Sequence, residues 1–237
     1  MKRKIIGFLI ILILTALPAR AENAIDYFNL GLKSTLTNTK IKYFSKALEM
    51  DPYLAEAYEK RGILYYFQEK FDRVIQDFQD YIRVAPPKAE AYRMLGVGYL
   101  KSGFYERAAD ILSRAIEMDP ELISAYVNRA EAYRLNGKYE ETIRDATVGI
   151  RRVCDERTKS DAYRIRAKVY WKTDRNDLAH ADVNAAWDID PRVPMWWRYF
   201  LKGATPEEMS HAAPFMIIGI LVVLIWGVTL KPPDKDE

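Results

Sequence analysis

Ala55-Glu-Ala-Tyr-Glu-Lys-Arg-Gly-Ile-Leu-Tyr-Tyr-Phe67 is the stretch from which the rest of the chain is read. Its Tyr58, Gly62 and Tyr65 stand four and three residues apart, the spacing that brings side chains onto one face of a helix. The same triplet returns as Tyr92, Gly96 and Tyr99, as Tyr126, Ala130 and Tyr133, and as Tyr163, Ala167 and Tyr170, at steps of 34, 34 and 37 residues. Self-similarity at such a period marks a stack of supersecondary units, each too small to bury its own hydrophobic face.

Each unit reads as a helical hairpin. The first helix ends in a turn at Gln68-Glu-Lys, Ser102-Gly103 or Asn136-Gly137, where glycine takes a positive φ at little cost. A second helix starts at Phe71, Tyr105 or Tyr139 and presents an apolar stripe such as Ala108, Leu112 and Ala115. Pro86, Pro120 and Pro191 stop it, because proline disfavours helical geometry in the preceding residue. The small residue at Gly62, Gly96, Ala130 and Ala167 lets the two helices approach closely, and the tyrosines are expected to fill the gaps between neighbouring pairs.

Leu95, Gly96, Tyr99, Ala108, Leu112, Ala115 and Pro120 together resemble the tetratricopeptide repeat signature. The resemblance covers 55–191 as four repeats, 55–88, 89–122, 123–159 and 160–191. Upstream, 22–54 reads as a degenerate fifth through Tyr27, Leu30, Gly31, Phe44, Ala47 and Pro52, with about three residues missing from its turn and Lys40 where a small residue is usual. The chain departs from the pattern at Arg61, Arg129 and Arg166, where an apolar residue is usual, and at Cys154, where proline is. The arginines are expected to lay their methylenes on the neighbouring helix and keep their charge in water. Extra residues near Asp155 to Lys159 are expected to lengthen a loop. The resemblance implies an all-α fold, a right-handed α-solenoid of helix-turn-helix repeats; the sequence adds one C-terminal transmembrane helix.

The two ends carry different signals. Residues 1–21 have a basic start (Lys2, Arg3, Lys4), an apolar run from Ile5 to Leu17 and Ala19-Arg20-Ala21, the pattern of a secretory signal peptide cleaved before Glu22. An uncleaved anchor is the other reading of that pattern. Between Glu208 and Lys231 lie 22 residues without an ionised side chain. The apolar segment 213–230 is read as a transmembrane helix, since about 22 residues at ~1.5 Å each cross a ~30 Å hydrocarbon layer. A buried capping helix would need a polar outer face, which this run lacks. Residues 192–212, with Trp196, Trp197, Tyr199 and Phe200, read as a capping or juxtamembrane helix; an aromatic segment in the outer headgroup region is the rival. Thr205-Pro-Glu-Glu208 resembles a capping box that starts a new helix. Residues 231–237 become a cytoplasmic tail and the repeats face the periplasmic, or otherwise extracytoplasmic, side of a single-pass membrane protein.

The chain has 36 Lys and Arg against 33 Asp and Glu, and without Lys2, Arg3, Lys4 and Arg20 the balance is 32 to 33. No basic run of the kind that exchanges with phosphate counterions appears, so nucleic acid is not expected as a partner. A single cysteine, Cys154, leaves no intramolecular disulfide and no zinc or two-cysteine redox motif. The two histidines, His180 and His211, stand 31 residues apart without an acid and nucleophile around either. Glycines follow the repeat period rather than a phosphate loop. No catalytic, cofactor or metal residues are assigned, and the chain has no room for a catalytic domain beside the array.

In a stack of such hairpins the first helices line the concave side. The side chains expected to project into that groove are Glu59, Ile63 and Tyr66; Arg93, Val97 and Leu100; Val127, Asn128, Glu131 and Arg134; and Arg164, Lys168 and Trp171. The first part is apolar and aromatic and the last basic, which suits a peptide combining an apolar segment with acidic residues. Some tetratricopeptide domains clamp a partner's C-terminal carboxylate with lysine and asparagine, but Glu59 and Ile63 occupy those places here. The expected function is a non-enzymatic scaffold or adaptor that binds a protein or peptide near the membrane. The rival is a structural subunit or assembly factor of a membrane complex, acting through the array ends and the transmembrane helix, and homo-oligomerisation stays open.

Overall fold

The computed structural model describes residues 23–86, 88–152 and 155–190. The signal segment 1–21, Cys154, the 192–212 helix, the 213–230 span and the 231–237 tail lie outside the described residues. Among the described residues there are ten α-helices and no strand: α1 Ala24–Lys33, α2 Thr37–Met50, α3 Ala55–Phe67, α4 Phe71–Val84, α5 Ala89–Lys101, α6 Tyr105–Met118, α7 Ile123–Leu135, α8 Tyr139–Arg152, α9 Glu156–Lys172 and α10 Asn176–Ile189. No helix among them is long and apolar enough to cross a membrane. They pair in order into five hairpins and separate into two compact units, α1 to α6 ending at Met118 and α7 to α10 beginning after Asp119. Within each unit the second helix of one hairpin also packs on the first helix of the next.

The small residue of each first helix meets one side chain of its partner helix. A Cβ added at Gly62 would lie 2.8 Å from Phe78 Cε2, and one at Gly96 would lie 2.6 Å from Leu112 Cγ. In the third repeat the same slot is filled by alanine on both sides, Ala130 and Ala146, each fully buried. Helix approach is therefore set by matched sizes: a glycine faces a large side chain, an alanine faces a small one.

The turns share one backbone device. Glu69, Gly103, Gly137 and Asp174, each seven residues after the small residue, take φ of 57°, 83°, 75° and 57°. A Cβ at Gly103 would meet nothing within 4 Å, so the glycine serves backbone conformation alone. Gly103→Ala is expected to cost about 1 to 2 kcal/mol, the ordinary left-handed penalty, and Gly103→Asn less, as read by urea denaturation followed by circular dichroism. At the hairpin junctions, Asp51 Oδ1 accepts from Tyr53 N and Asp119 Oδ1 accepts from Glu121 N, each at 2.9 Å. These side-chain turns at Asp51-Pro52 and Asp119-Pro120 carry the chain from one hairpin into the next.

Two local expectations change. The extra residues near Asp155 to Lys159 do not lengthen a loop: α9 has 17 residues against 13 in α3, α5 and α7, and Asp155 Oδ2 accepts from Thr158 N at 2.8 Å to cap the added turn. In the first hairpin the turn 34–36 keeps the three-residue length of 68–70, and the shortage falls on α1, which stops two residues after Gly31.

Candidate functional site

In the first unit α3 and α5 carry Glu59, Ile63, Tyr66, Arg93, Val97 and Leu100. Ile63 and Tyr66 are half-buried, backed by the core around Val74 and Phe78, and Tyr66 meets Phe67 and Phe71 edge-on at 5.7 and 6.2 Å. Val97 and Leu100 are buried at 4% and 7% exposure, so they underlie the surface rather than forming it. Arg93 Nε donates to Glu90 Oε2 at 2.7 Å, one helical turn away.

In the second unit, Val127 is buried in a cluster with Ala130, Ala146 and Ile165. Asn128, Glu131, Arg134, Arg164 and Trp171 keep partial exposure, and Lys168 is exposed. Arg134 Nε donates to Glu131 Oε2 at 2.8 Å. Arg164 lies 3.5 Å from Asp161 and 3.6 Å from Asp190. Trp171 packs edge-on against His180 at 6.1 Å. Each of the three arginines, Arg93, Arg134 and Arg164, thus has a carboxylate three residues earlier on its own helix. The basic character expected of these faces is largely neutralised from within, and among their described residues Lys168 is the cation with no carboxylate partner.

The structure also joins residues that the sequence reading left apart. Arg61 Nε and Nη2 donate to both oxygens of Asp77 at 2.9 and 2.6 Å. Arg129 does the same to Asp145, at 2.7 and 3.0 Å, and Arg166 to Asp182, at 2.8 and 2.7 Å. Each guanidinium also lies within 6 Å of the two flanking tyrosine rings of its own helix, such as Tyr58 and Tyr65 for Arg61. Arg61 Nη1 reaches back to Ser45 Oγ, and Arg166 Nη1 to Thr147 Oγ1, both at 2.9 Å, tying each hairpin to the one before. Contrary to the expectation from the sequence, these arginines do not keep their charge in water but turn it onto a buried carboxylate. Their side chains are 16%, 17% and 16% exposed, and the carboxylates 2%, 9% and 6%.

Burial pushes the Arg61 and Arg129 guanidinium groups down, but the hydrogen bonds and charge of Asp77 and Asp145 more than offset it and hold both above the ordinary value. For Arg166 the bonds to Asp182 are the larger influence, and the direction is the same. The visible signal was an aspartate 16 residues after each arginine in the three repeats that have one, whereas the second repeat carries Leu95 and Ile111. Among the described residues no three His, Cys, Asp or Glu side chains gather to hold a metal ion.

The family model described as tetratricopeptide repeat matches residues 59–122 and 93–146. Residues 59–146 carry tetratricopeptide repeats. Among solved structures, YrrB, described as a tetratricopeptide repeat protein with an unusual peptide-binding site, is 23% identical over 72% of this chain and 88% of its own, with a TM-score of 0.60. MamA from Desulfovibrio magneticus RS-1 is 16% identical over 74% of this chain and 99% of its own, with a TM-score of 0.64. A further MamA structure is 22% identical over 66% of this chain and 90% of its own, with a TM-score of 0.59. At these identities the likeness establishes the fold of stacked tetratricopeptide repeats. No curated protein matches the chain.

Proposed function

We propose that this chain is a non-enzymatic, membrane-anchored scaffold whose repeats, on the extracytoplasmic side, hold a partner protein or peptide against the outward faces of their first helices. The observation that carries this reading is the set of half-exposed aromatic and aliphatic side chains there, Ile63 and Tyr66 on α3 and Trp171 on α9, each backed by packed neighbours. Such side chains, large and held rigid from behind, make effective anchors for an extended peptide. The peptide-binding site named for YrrB supports the same use of the fold. Anchoring rests on the apolar run 213–230, and export on the leader-like 1–21.

The internal ion pairs refine the partner's chemistry. An acidic ligand at Arg93, Arg134 or Arg164 must exchange against Glu90, Glu131 or Asp161, so Lys168 is its main electrostatic contact and apolar anchoring dominates. Photo-crosslinking residues in place of Tyr66 and Trp171, followed by mass spectrometry of species trapped in native membranes, identify the partner. Tyr66→Ala with Trp171→Ala is expected to abolish its capture while leaving helical content intact, and Lys168→Glu to weaken it severalfold. Undiminished capture by the folded double variant would move binding off these faces and favour a structural subunit acting through the array ends.

A further inference from the structure

The hairpin turns of the first unit form a continuous edge. Leu36 lies in the α1–α2 turn, Phe67 ends α3 and Phe104 immediately precedes α6, with exposures of 70%, 74% and 49%. The turns are physical neighbours. Gln68 Nε2 donates to Asn38 Oδ1 at 2.8 Å, bridging the first and second. Glu69, Lys70, Phe71, Asp72 and Arg73 line an open cleft of about 570 Å³ together with Ser102 and Phe104, joining the second and third. The rings are held from behind, Phe67 by Tyr66 at 5.7 Å and Phe104 by Tyr99 at 6.2 Å. Single exposed apolar residues are ordinary, but three on adjacent turns make a patch that needs an occupant.

The charge around that patch says which occupant fits. Residues 33–40, 67–73 and 101–107 hold six basic side chains, Lys33, Lys40, Lys70, Arg73, Lys101 and Arg107, against three acids. None of the six forms an ion pair with another described residue; Arg73 donates to Gln76, and Arg107 lies over the Phe104 ring. The second unit's corresponding turns differ. Leu135 and Leu178 are their exposed tips, segment 135–141 holds two acids against one base and 172–178 two against two, and Arg175 is paired with Glu140 at 3.0 Å. Apolar tips ringed by unpaired cations are the combination that binds the headgroup boundary of an anionic bilayer, through buried apolar area and phosphate attraction together.

We infer that the turn edge of the first unit rests on an anionic lipid surface, with Leu36, Phe67 and Phe104 entering the headgroup boundary and the lysines and arginines around them meeting lipid phosphates. The inference rests on the proposed function only in placing the repeats beside a membrane, and it leaves the first-helix faces open to a partner.

The test uses the full-length chain with Phe67→Cys and Cys154→Ser, labelled with an environment-sensitive fluorophore and reconstituted into phosphatidylcholine vesicles with or without phosphatidylserine. Brominated lipid is expected to quench the label strongly in the anionic vesicles and weakly in the neutral ones, with raised salt removing the difference. Lys70→Glu with Lys101→Glu is expected to lower the anionic preference at least about twentyfold, from roughly fivefold for each basic residue near such a surface. A label at Leu135→Cys should stay unquenched in both. A Phe67 label that remains water-exposed in anionic vesicles overturns the inference. So does one shielded equally in lipid-free detergent as protein concentration rises, which would assign the edge to a second copy. Flotation with phosphatidylcholine vesicles reports anchoring by itself, so its failure is separable from failure of the edge.

Discussion

Asp77→Ala is expected to destabilise the protein by about 3 to 5 kcal/mol, while Arg61→Leu combined with Asp77→Ile is neutral or stabilising. The single change removes the partner of a guanidinium whose side chain is only 16% exposed and which does not shed its proton. What remains is a buried, uncompensated charge. The double change writes into the first full repeat what the second already contains, Leu95 and Ile111, both packed in the same apolar core. Desolvating two ions consumes most of what their attraction returns, so the chain loses little by replacing both. Urea denaturation midpoints of the parent, both single variants and the double variant form a closed cycle. A cost below about 1 kcal/mol for Asp77→Ala, the range of exposed ion pairs, would show that Arg61 escapes to solvent and that the bonds to Asp77 and Ser45 are incidental.

Gly96→Leu is expected to unfold the first unit at temperatures where the parent is intact. The first added carbon already lies 2.6 Å from Leu112 Cγ and 2.9 Å from its Cδ2, and Leu112 is fully buried with nowhere to retreat. Overpacking a filled core costs about 1 to 3 kcal/mol or more, and neighbouring hairpins share the loss because repeats stabilise one another through their interfaces. Gly96→Ala should be milder, since alanine's better helix propensity offsets part of the strain. Gly96→Ala with Leu112→Ala copies the Ala130 and Ala146 pair and should cost less than the sum of its single changes. Thermal melts followed by far-ultraviolet circular dichroism decide it. Additivity of the two single changes would mean that residues 96 and 112 do not share a slot.

The helices were legible because one period governs them. Phe71, Tyr105 and Tyr139 begin α4, α6 and α8 where the stripes and turns place them, and Gly103 and Gly137 take the positive φ that the turn requires. Glu69 and Asp174 occupy the same backbone position without glycine, which residue type alone does not reveal. The extra residues near Asp155 to Lys159 were ambiguous for a different reason. An insertion joins a helix or a loop according to its cap, and Asp155 acts as a cap only when its carboxylate reaches Thr158 N. The candidate binding faces were less legible than the fold. Helical spacing puts Val97, Leu100 and Val127 beside exposed neighbours, but a packed hairpin covers them. The arginines of those faces invited an acidic ligand until Glu90, Glu131 and Asp161 were seen to hold them. Arg61, Arg129 and Arg166 each have an aspartate 16 residues downstream, and this spacing, too long for one helix face, records the same choice three times.

That choice also bears on how a chain of near-identical hairpins avoids assembling in the wrong order during synthesis. A first helix bearing Arg61 that captured α6 in place of α4 would set its guanidinium against Ile111, and α4 left to pair with α5 would press Asp77 onto Leu95. Both errors strand a desolvated charge, whereas the correct partner lies one short turn away and satisfies it. The apolar second repeat thus penalises exchange of its own helices with those of an ionic repeat, whereas exchange among the ionic repeats meets an aspartate in the same register. That repeat discriminates between look-alike helices through the penalty for a mismatch, even where a correct match contributes little.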